Sequence, residues 1–190
     1  MSDENFDASI LSDARNHLNQ FIDRSTSVMN DTGSLLEIGP EGRTYVQECF
    51  PGWSIDSLDI VSSNNPTYVG DITRKNEAIK SHSYDAVACL EVLEHTLNPF
   101  GAIDELKRIL KPDGILLISA PLNFRIHGPI PDCWRFTEFG WRVLLKDFEI
   151  LEFDVLETPG RELFPIKYNI RAKHILGRNV PLNDLTFQKI

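Results

Sequence analysis

The chain has 190 residues, 42% hydrophobic and 25% charged, and its 28 acids against 19 lysines and arginines leave a formal net charge of −9. That length can bury a core without staples, while the acidic balance disfavours nucleic acid and anionic lipid as partners. The three cysteines (Cys49, Cys89, Cys133) form no CxxC pair, which argues against a disulfide framework or a zinc site and for a reducing compartment.

Residues 1–8 read as a frayed start. From Ser9 to about Met29 the apolar residues Ile10, Leu11, Ala14, Leu18, Phe21 and Ile22 recur at helical spacing, and Asn30 to Gly33 carries turn chemistry. Leu35–Ile38 is a first strand, Thr44–Phe50 a helix stopped by Pro51-Gly52, and Ile55–Leu58 a second strand ending at Asp59. Tyr68-Val69 is a short third strand, and Ile72–Lys80 is expected to carry a helical turn or two. Tyr84–Leu90 reads as a buried fourth strand and Pro99–Leu110 as a helix with cations at its C-terminal end. Ile115–Ala120 is a continuous apolar fifth strand, the kind covered on both faces. Thr137 caps a helix through Leu145, Glu149–Phe153 begins another strand, and Leu163–Ala172 adds a last one. The cations Arg161, Lys167, Arg171, Lys173, His174 and Arg178 read as scattered, solvated tail charges.

Strands alternate with helices, with no hairpin signal before residue 150. This predicts an α/β fold, Rossmann-like, with a mostly parallel sheet and helices on both faces. No linker or repeat interrupts it, so one domain is expected: an N-terminal helix over 1–30, a core over 33–155, and a C-terminal strand and tail over 156–190. No apolar run reaches the roughly 20 residues of a membrane helix, and the acidic start has no secretory pattern; the expectation is a soluble, cytoplasmic protein.

Ligands of open parallel sheets bind beyond the carboxyl ends of the strands, and the acids of this chain fall there: Glu37, Asp59, Asp71 and Glu91. Asp59 lies 22 residues after Glu37, near the roughly 20-residue offset at which an acid accepts hydrogen bonds from ribose hydroxyls. A nucleoside cofactor follows. The turn Gly39-Pro40-Glu41-Gly42 makes a poor phosphate cradle, because Pro40 removes an N–H and Glu41 adds negative charge, which argues against a dinucleotide. S-adenosylmethionine, with a ribose and two cationic centres but no phosphate, fits a rim of carboxylates better.

The ordered set Leu35-Leu36-Glu37-Ile38-Gly39-Pro40-Glu41-Gly42, Ser57-Leu58-Asp59, Gly70-Asp71-Ile72, Tyr84 through His95, and Leu106 through Gly114 resembles the successive motifs of class I S-adenosylmethionine-dependent methyltransferases. The nearest likeness is to the ubiquinone-biosynthesis type, a methyltransferase type 11 branch, and covers about residues 33–155. The resemblance implies cofactor roles for Glu37, Gly39, Pro40, Leu90 and Glu91 on the methionine side, Asp59 at the ribose, and Ile60, Asp71 and Ile72 around the adenine. One departure is that the second glycine stands at Gly42, where the family's glycines usually occupy the positions of Glu41 and Arg43.

Two histidines are candidate general bases. His95 follows Glu91 by four residues, so a helical turn would place a carboxylate beside it. His127 lies in the segment Pro121–Thr137, a proline- and aromatic-rich loop after the fifth strand that suits an acceptor pocket. Its His127-Gly128-Pro129 and Asp132-Cys133-Trp134-Arg135-Phe136-Thr137 resemble a subset of these methyltransferases associated with glycan or secondary-metabolite assembly. Arg125, Trp134 and Arg135 are candidate substrate-binding residues; Arg125 suits an acceptor carboxylate or phosphate, and Arg135 can instead pair with Asp132. No metal-ligating cluster is visible in the sequence. The expected function is methyl transfer from S-adenosylmethionine to a small-molecule acceptor, most simply at oxygen; the alternative is a non-catalytic module that binds S-adenosylmethionine. The N-terminal helix is expected to cover the acceptor side or to form a homodimer contact.

Overall fold

The computed structural model describes residues 3–186, with side chains from residue 9. Helix α1 runs from Asp3 to Thr26, so it starts six residues before Ser9; residues 1 and 2 of the stretch expected to fray, and residues 187–190 of the tail, lie outside the described part. After α1 come β1 (Gly33–Ile38), α2 (Tyr45–Cys49), β2 (Trp53–Asp59), β3 (Tyr68–Val69), β4 (Tyr84–Leu90), α3 (Pro99–Ile109), β5 (Leu110–Pro121), α4 (Glu138–Leu144), β6 (Phe148–Thr158) and β7 (Arg161–His174).

These strands form one sheet in the order β3-β2-β1-β4-β5-β7-β6. β7 pairs antiparallel with both β5 and β6, and the other pairings are parallel. The chain winds outward from β1 to β3, then returns to β4 on the other side of β1. That reversal is the switch point at which such sheets open a crevice for ligands.

Strand alternation sorts the side chains between two layers. Leu35, Ala86, Ala88 and Leu117 meet Leu18, Phe21 and Ile22 of α1 and Val46 of α2. The intervening Leu36, Val87, Cys89, Leu116 and Ile118 meet Ile103, Leu106 and Ile109 of α3 and Trp141 and Leu144 of α4. Alanines at 86 and 88 leave room for the bulk of Phe21, which is fully buried. Local chemistry ends the helices: the Asn98 side chain accepts from Gly101 N at the start of α3, and Thr137 does the same for Gly140 N in α4.

Two expectations are corrected. Residues 72–80 form turns and no helix; the Asp71 carboxylate accepts from Thr73 N at 2.9 Å, and the local side-chain bond competes with helical pairing there. The cations from Arg161 to His174 are not a solvated tail, because they stand on β7: Lys167 is 2% exposed and His174 4%, while Arg171 pairs with Glu152 and Lys173 with Glu149. No helix among the described residues is long and apolar enough to cross a membrane.

Candidate cofactor and acceptor site

At the switch point, a cavity of about 300 Å³ is lined by Gly39, Asp59, Ile60, Asp71, Ile72 and Glu91, together with Val61, Asn64, Val92, His95, Leu97 and Pro131. Asp59 is the last residue of β2 and is 5% exposed. Its carboxylate accepts from Val61 N and from Asn64 Nδ2, each at 2.8 Å, which fixes the loop behind it and leaves lone pairs for two more donors. Ile60 is 69% exposed and Leu97 78%, apolar surface at the mouth that a flat ligand would cover. Gly39 has φ +61, and a Cβ there would lie 3.1 Å from Val92 Cγ2, so the tight turn after β1 needs a residue without a side chain.

Glu37 does not enter this cavity. It shares the face of Leu35, two residues earlier, and opens with Pro40 and Leu90 into a narrow recess against Arg15 and Asn19 of α1 and Tyr45 of α2. Ile38 and Gly39 border both spaces, so recess and cavity adjoin across β1. Glu37 is 6% exposed and its Oε2 is buried without a hydrogen-bond partner. Burial pushes its pKa up to about 7, against a smaller opposing pull from Arg43. Arg15 and Asn19 escaped the sequence reading because nothing in it set which way α1 faces.

Glu91 has φ +57, a left-handed conformation rare outside glycine. Its backbone N–H donates to Ser119 O at 3.1 Å, and its carboxylate accepts from Ser119 Oγ at 2.7 Å and pairs with Lys167 Nζ at 2.9 Å. Burial opposes its charge most strongly, but Lys167, the Ser119 hydroxyl and His127 together outweigh that and hold the pKa below the ordinary value. The carboxylate beside His95 is therefore not Glu91, as a continuous helix would have made it, but Glu94, in the 3-10 turn Leu93–His95. Glu94 is fully buried with neither oxygen hydrogen-bonded. His95 Nε2 stands 3.8 Å and His127 Nε2 3.7 Å from its Oε1. Glu94, His95 and His127 thus present one ligand-type atom each, all within 4.8 Å of one another. The sequence showed no such cluster because His127 arrives from the loop after β5.

That loop also shapes a second, more open cavity of about 590 Å³ on the same rim, lined by Arg125, Trp134 and Arg135 with Leu122, Phe124 and Phe164, and closed by Ile10 and Leu11 of α1. Arg135 clamps Asp132 through both nitrogens and holds that carboxyl well below the usual range. Trp134 donates from Nε1 to Thr96 O at 2.8 Å, tying the loop to the segment after β4. His127 lines neither cavity; His95 borders the first.

A family model described as a methyltransferase domain matches residues 10–157, a span that takes in every strand tip of the first cavity. The chain belongs to the methyltransferase domain family. Among curated members, the ubiquinone biosynthesis O-methyltransferase of Rickettsia bellii is 30% identical over 116 residues, covering 54% of this chain and 48% of the relative. The chain thus matches about half the length of that relative. A solved S-adenosylmethionine-dependent methyltransferase from Methanosarcina mazei superposes with a TM-score of 0.60 at 20% identity, covering 79% of this chain and 96% of the other. A methyltransferase from Haloferax volcanii, solved in complex with its activator Trm112, gives 0.66 at 14% identity over 90% and 95%. At these identities the solved structures speak for the methyltransferase fold alone.

Proposed function

We propose that this methyltransferase-family chain moves the methyl group of S-adenosylmethionine to an oxygen of a small-molecule acceptor. One observation carries the reading: residues from the tips of β1, β2, β3 and β4 converge on a single cavity, and a second cavity opens beside it on the same rim. The residues present fit the cofactor. Asp59 has acceptor capacity for ribose hydroxyls, the apolar Ile60, Ile72 and Leu97 suit an adenine face, and the unpartnered Glu37 Oε2 suits an ammonium. Arg15, across the recess from Glu37, suits the cofactor's carboxylate. The turn at Pro40-Glu41 offers little to a pyrophosphate, and Glu41 instead pairs with Arg43.

When bound, the cofactor supplies a methyl group on a sulfonium that departs as a neutral thioether. The protein's part is to orient: holding two reactants in line can supply up to about 7–11 kcal/mol of the barrier. The loop from Leu122 to Trp134 and α1 hold the acceptor, with Pro131 at the first cavity and the adjoining Asp132 at the second. A group that takes the acceptor's proton adds less, about 10²–10⁴-fold; His95 borders the first cavity, and the ring of His127 lies 4.9 Å from that of His95. The identity of the curated relatives favours oxygen as the accepting atom.

The test is isothermal titration with S-adenosylmethionine and its demethylated product, followed by methyl-transfer assays on a panel of hydroxylated metabolites. Binding with turnover of a hydroxylated compound is expected. Binding with no turnover across the panel would instead assign a cofactor-binding module, and no binding would overturn both readings.

A pH dependence follows from Glu37. Its folded pKa of about 7 lies above the ordinary 4.5, so folding takes up a proton, and that stability is full below about pH 4.5 and lost as pH rises through 7. An ammonium beside it prefers the ionised form, so cofactor binding must remove that proton. The affinity should therefore rise from about pH 5.5 to 7.5, with proton release visible in buffers of different ionisation enthalpy. In Glu37→Gln both the proton release and the rise should vanish; a profile identical to wild type would separate Glu37 from the cofactor.

A further inference from the structure

We propose that Glu94, His95 and His127 form a binding site for one divalent transition-metal ion of the Zn²⁺ type, placed between the cofactor and acceptor cavities. His95 Nδ1 lies 3.0 Å from Pro131 O, and His127 Nδ1 lies 3.2 Å from Asp132 Oδ2 and 3.3 Å from Arg125 O. Carbonyls and carboxylates only accept, so each Nδ1 carries a proton as the donor, and in the neutral imidazole each Nε2 turns a lone pair inward. Those lone pairs face the Glu94 carboxylate, itself an acceptor, with no donor among the described residues between them. Acceptors converging in a buried space need a proton or a metal cation between them.

The spacing suits a metal better than hydrogen bonds. At 3.7 and 3.8 Å the nitrogens are too far from Glu94 Oε1 to share a proton well. Ligands at about 2.0–2.2 Å on a tetrahedral ion lie roughly 3.4 Å apart, so the two edges to Glu94 need only a small contraction, while the two imidazole nitrogens, within 4.8 Å of each other, would draw together around the ion. The outer shell is in place as well: a carboxylate and a carbonyl fix the two imidazole tautomers, the arrangement that raises the basicity of metal-ligating histidines. Arg135 holds Asp132, and the Glu94 carbonyl accepts from Cys133 N and Trp134 N at 2.8 and 3.2 Å, which locks the loop bearing His127 to the turn bearing Glu94. Two imidazoles and one carboxylate favour Zn²⁺, Mn²⁺, Fe²⁺ or Co²⁺ over Mg²⁺. Glu91, the other nearby acid, is committed to Lys167 and Ser119.

Three protein ligands leave a coordination position open. An acceptor hydroxyl there would lose its proton more readily, and the imidazoles would hold the ion instead of serving as bases. This role rests on the methyl-transfer reading; the binding itself does not.

The experiment titrates the chelator-treated, dialysed protein with Zn²⁺ and with Mg²⁺ by calorimetry, without cofactor or acceptor. One equivalent of Zn²⁺ should bind far more tightly than Mg²⁺, and Co²⁺ should give the visible absorption of a four-coordinate site. His127→Ala and Glu94→Gln should each abolish the tight event, and Asp132→Asn should weaken it by roughly 10–100-fold, with melting temperatures and S-adenosylmethionine binding retained as controls of folding. No tight Zn²⁺ binding in the wild-type protein, or binding that His127→Ala and Glu94→Gln leave unchanged, overturns the site and leaves protons as the balancing charge. Retained cofactor binding and methyl transfer in that case would show that the metal assignment alone had failed.

Discussion

Asp59→Asn should raise the Kd for S-adenosylmethionine by roughly 100-fold while leaving the fold intact. The side chain keeps its shape, and its remaining oxygen can still accept from Val61 N. What disappears is the charge and an acceptor at the position that receives ribose hydroxyls. Hydrogen bonds to an ionised group contribute about 1.5–3 kcal/mol each, and loss of 2.7 kcal/mol corresponds to about two decades in Kd. Calorimetric titration measures this directly, with the thermal midpoint as control. An unchanged Kd would remove Asp59 from the cofactor site, whereas a collapse of the midpoint would mean that its bonds to Val61 and Asn64 matter more to the fold than to the ligand.

Lys167→Ala should destabilise the protein by about 3–5 kcal/mol, the usual cost of stranding one member of a buried ion pair. The Lys167 side chain is 3% exposed and its partner Glu91 22%, and Glu91 holds a left-handed backbone that its bonds to Ser119 help to fix. At roughly 2–4 °C per kcal/mol for a chain of this size, the melting temperature should fall by about 6–20 °C. The double variant Lys167→Met with Glu91→Gln should recover much of that loss, because the penalty lies in the unpaired charge and not in the absence of the pair. A single variant as stable as wild type would mean that Glu91 finds another partner or takes up a proton at little cost.

The order of strands and helices was legible because local signals carry it. Apolar runs mark β1, β4 and β5, Pro99 and Thr137 open α3 and α4, and acids stand at strand ends where alternation leaves the apolar pattern. Contacts distant in sequence were not legible. Lys167 lies 76 residues beyond Glu91, and only the insertion of β7 between β5 and β6 brings them together; without that pairing, the β7 cations read as a tail. His127 likewise meets Glu94 only because the loop after β5 folds back onto the turn after β4. The face of Glu37 was within reach: it stands two residues from Leu35, and a period of two fixes both on the α1 side. Residues 72–80, expected to carry a helical turn or two, are turns because Asp71 and Asn76 spend their side chains on the turn backbone instead.

A crystal structure with S-adenosylhomocysteine bound would show whether the strand tips share one ligand. The expected complex has the ribose hydroxyls hydrogen-bonded to Asp59, the adenine between Ile60 and Ile72, the amino-acid end passing Gly39 toward Glu37, and the sulfur facing the cavity of Arg125 and Trp134. A ligand bound elsewhere, or one whose sulfur faces away from that second cavity, would contradict it.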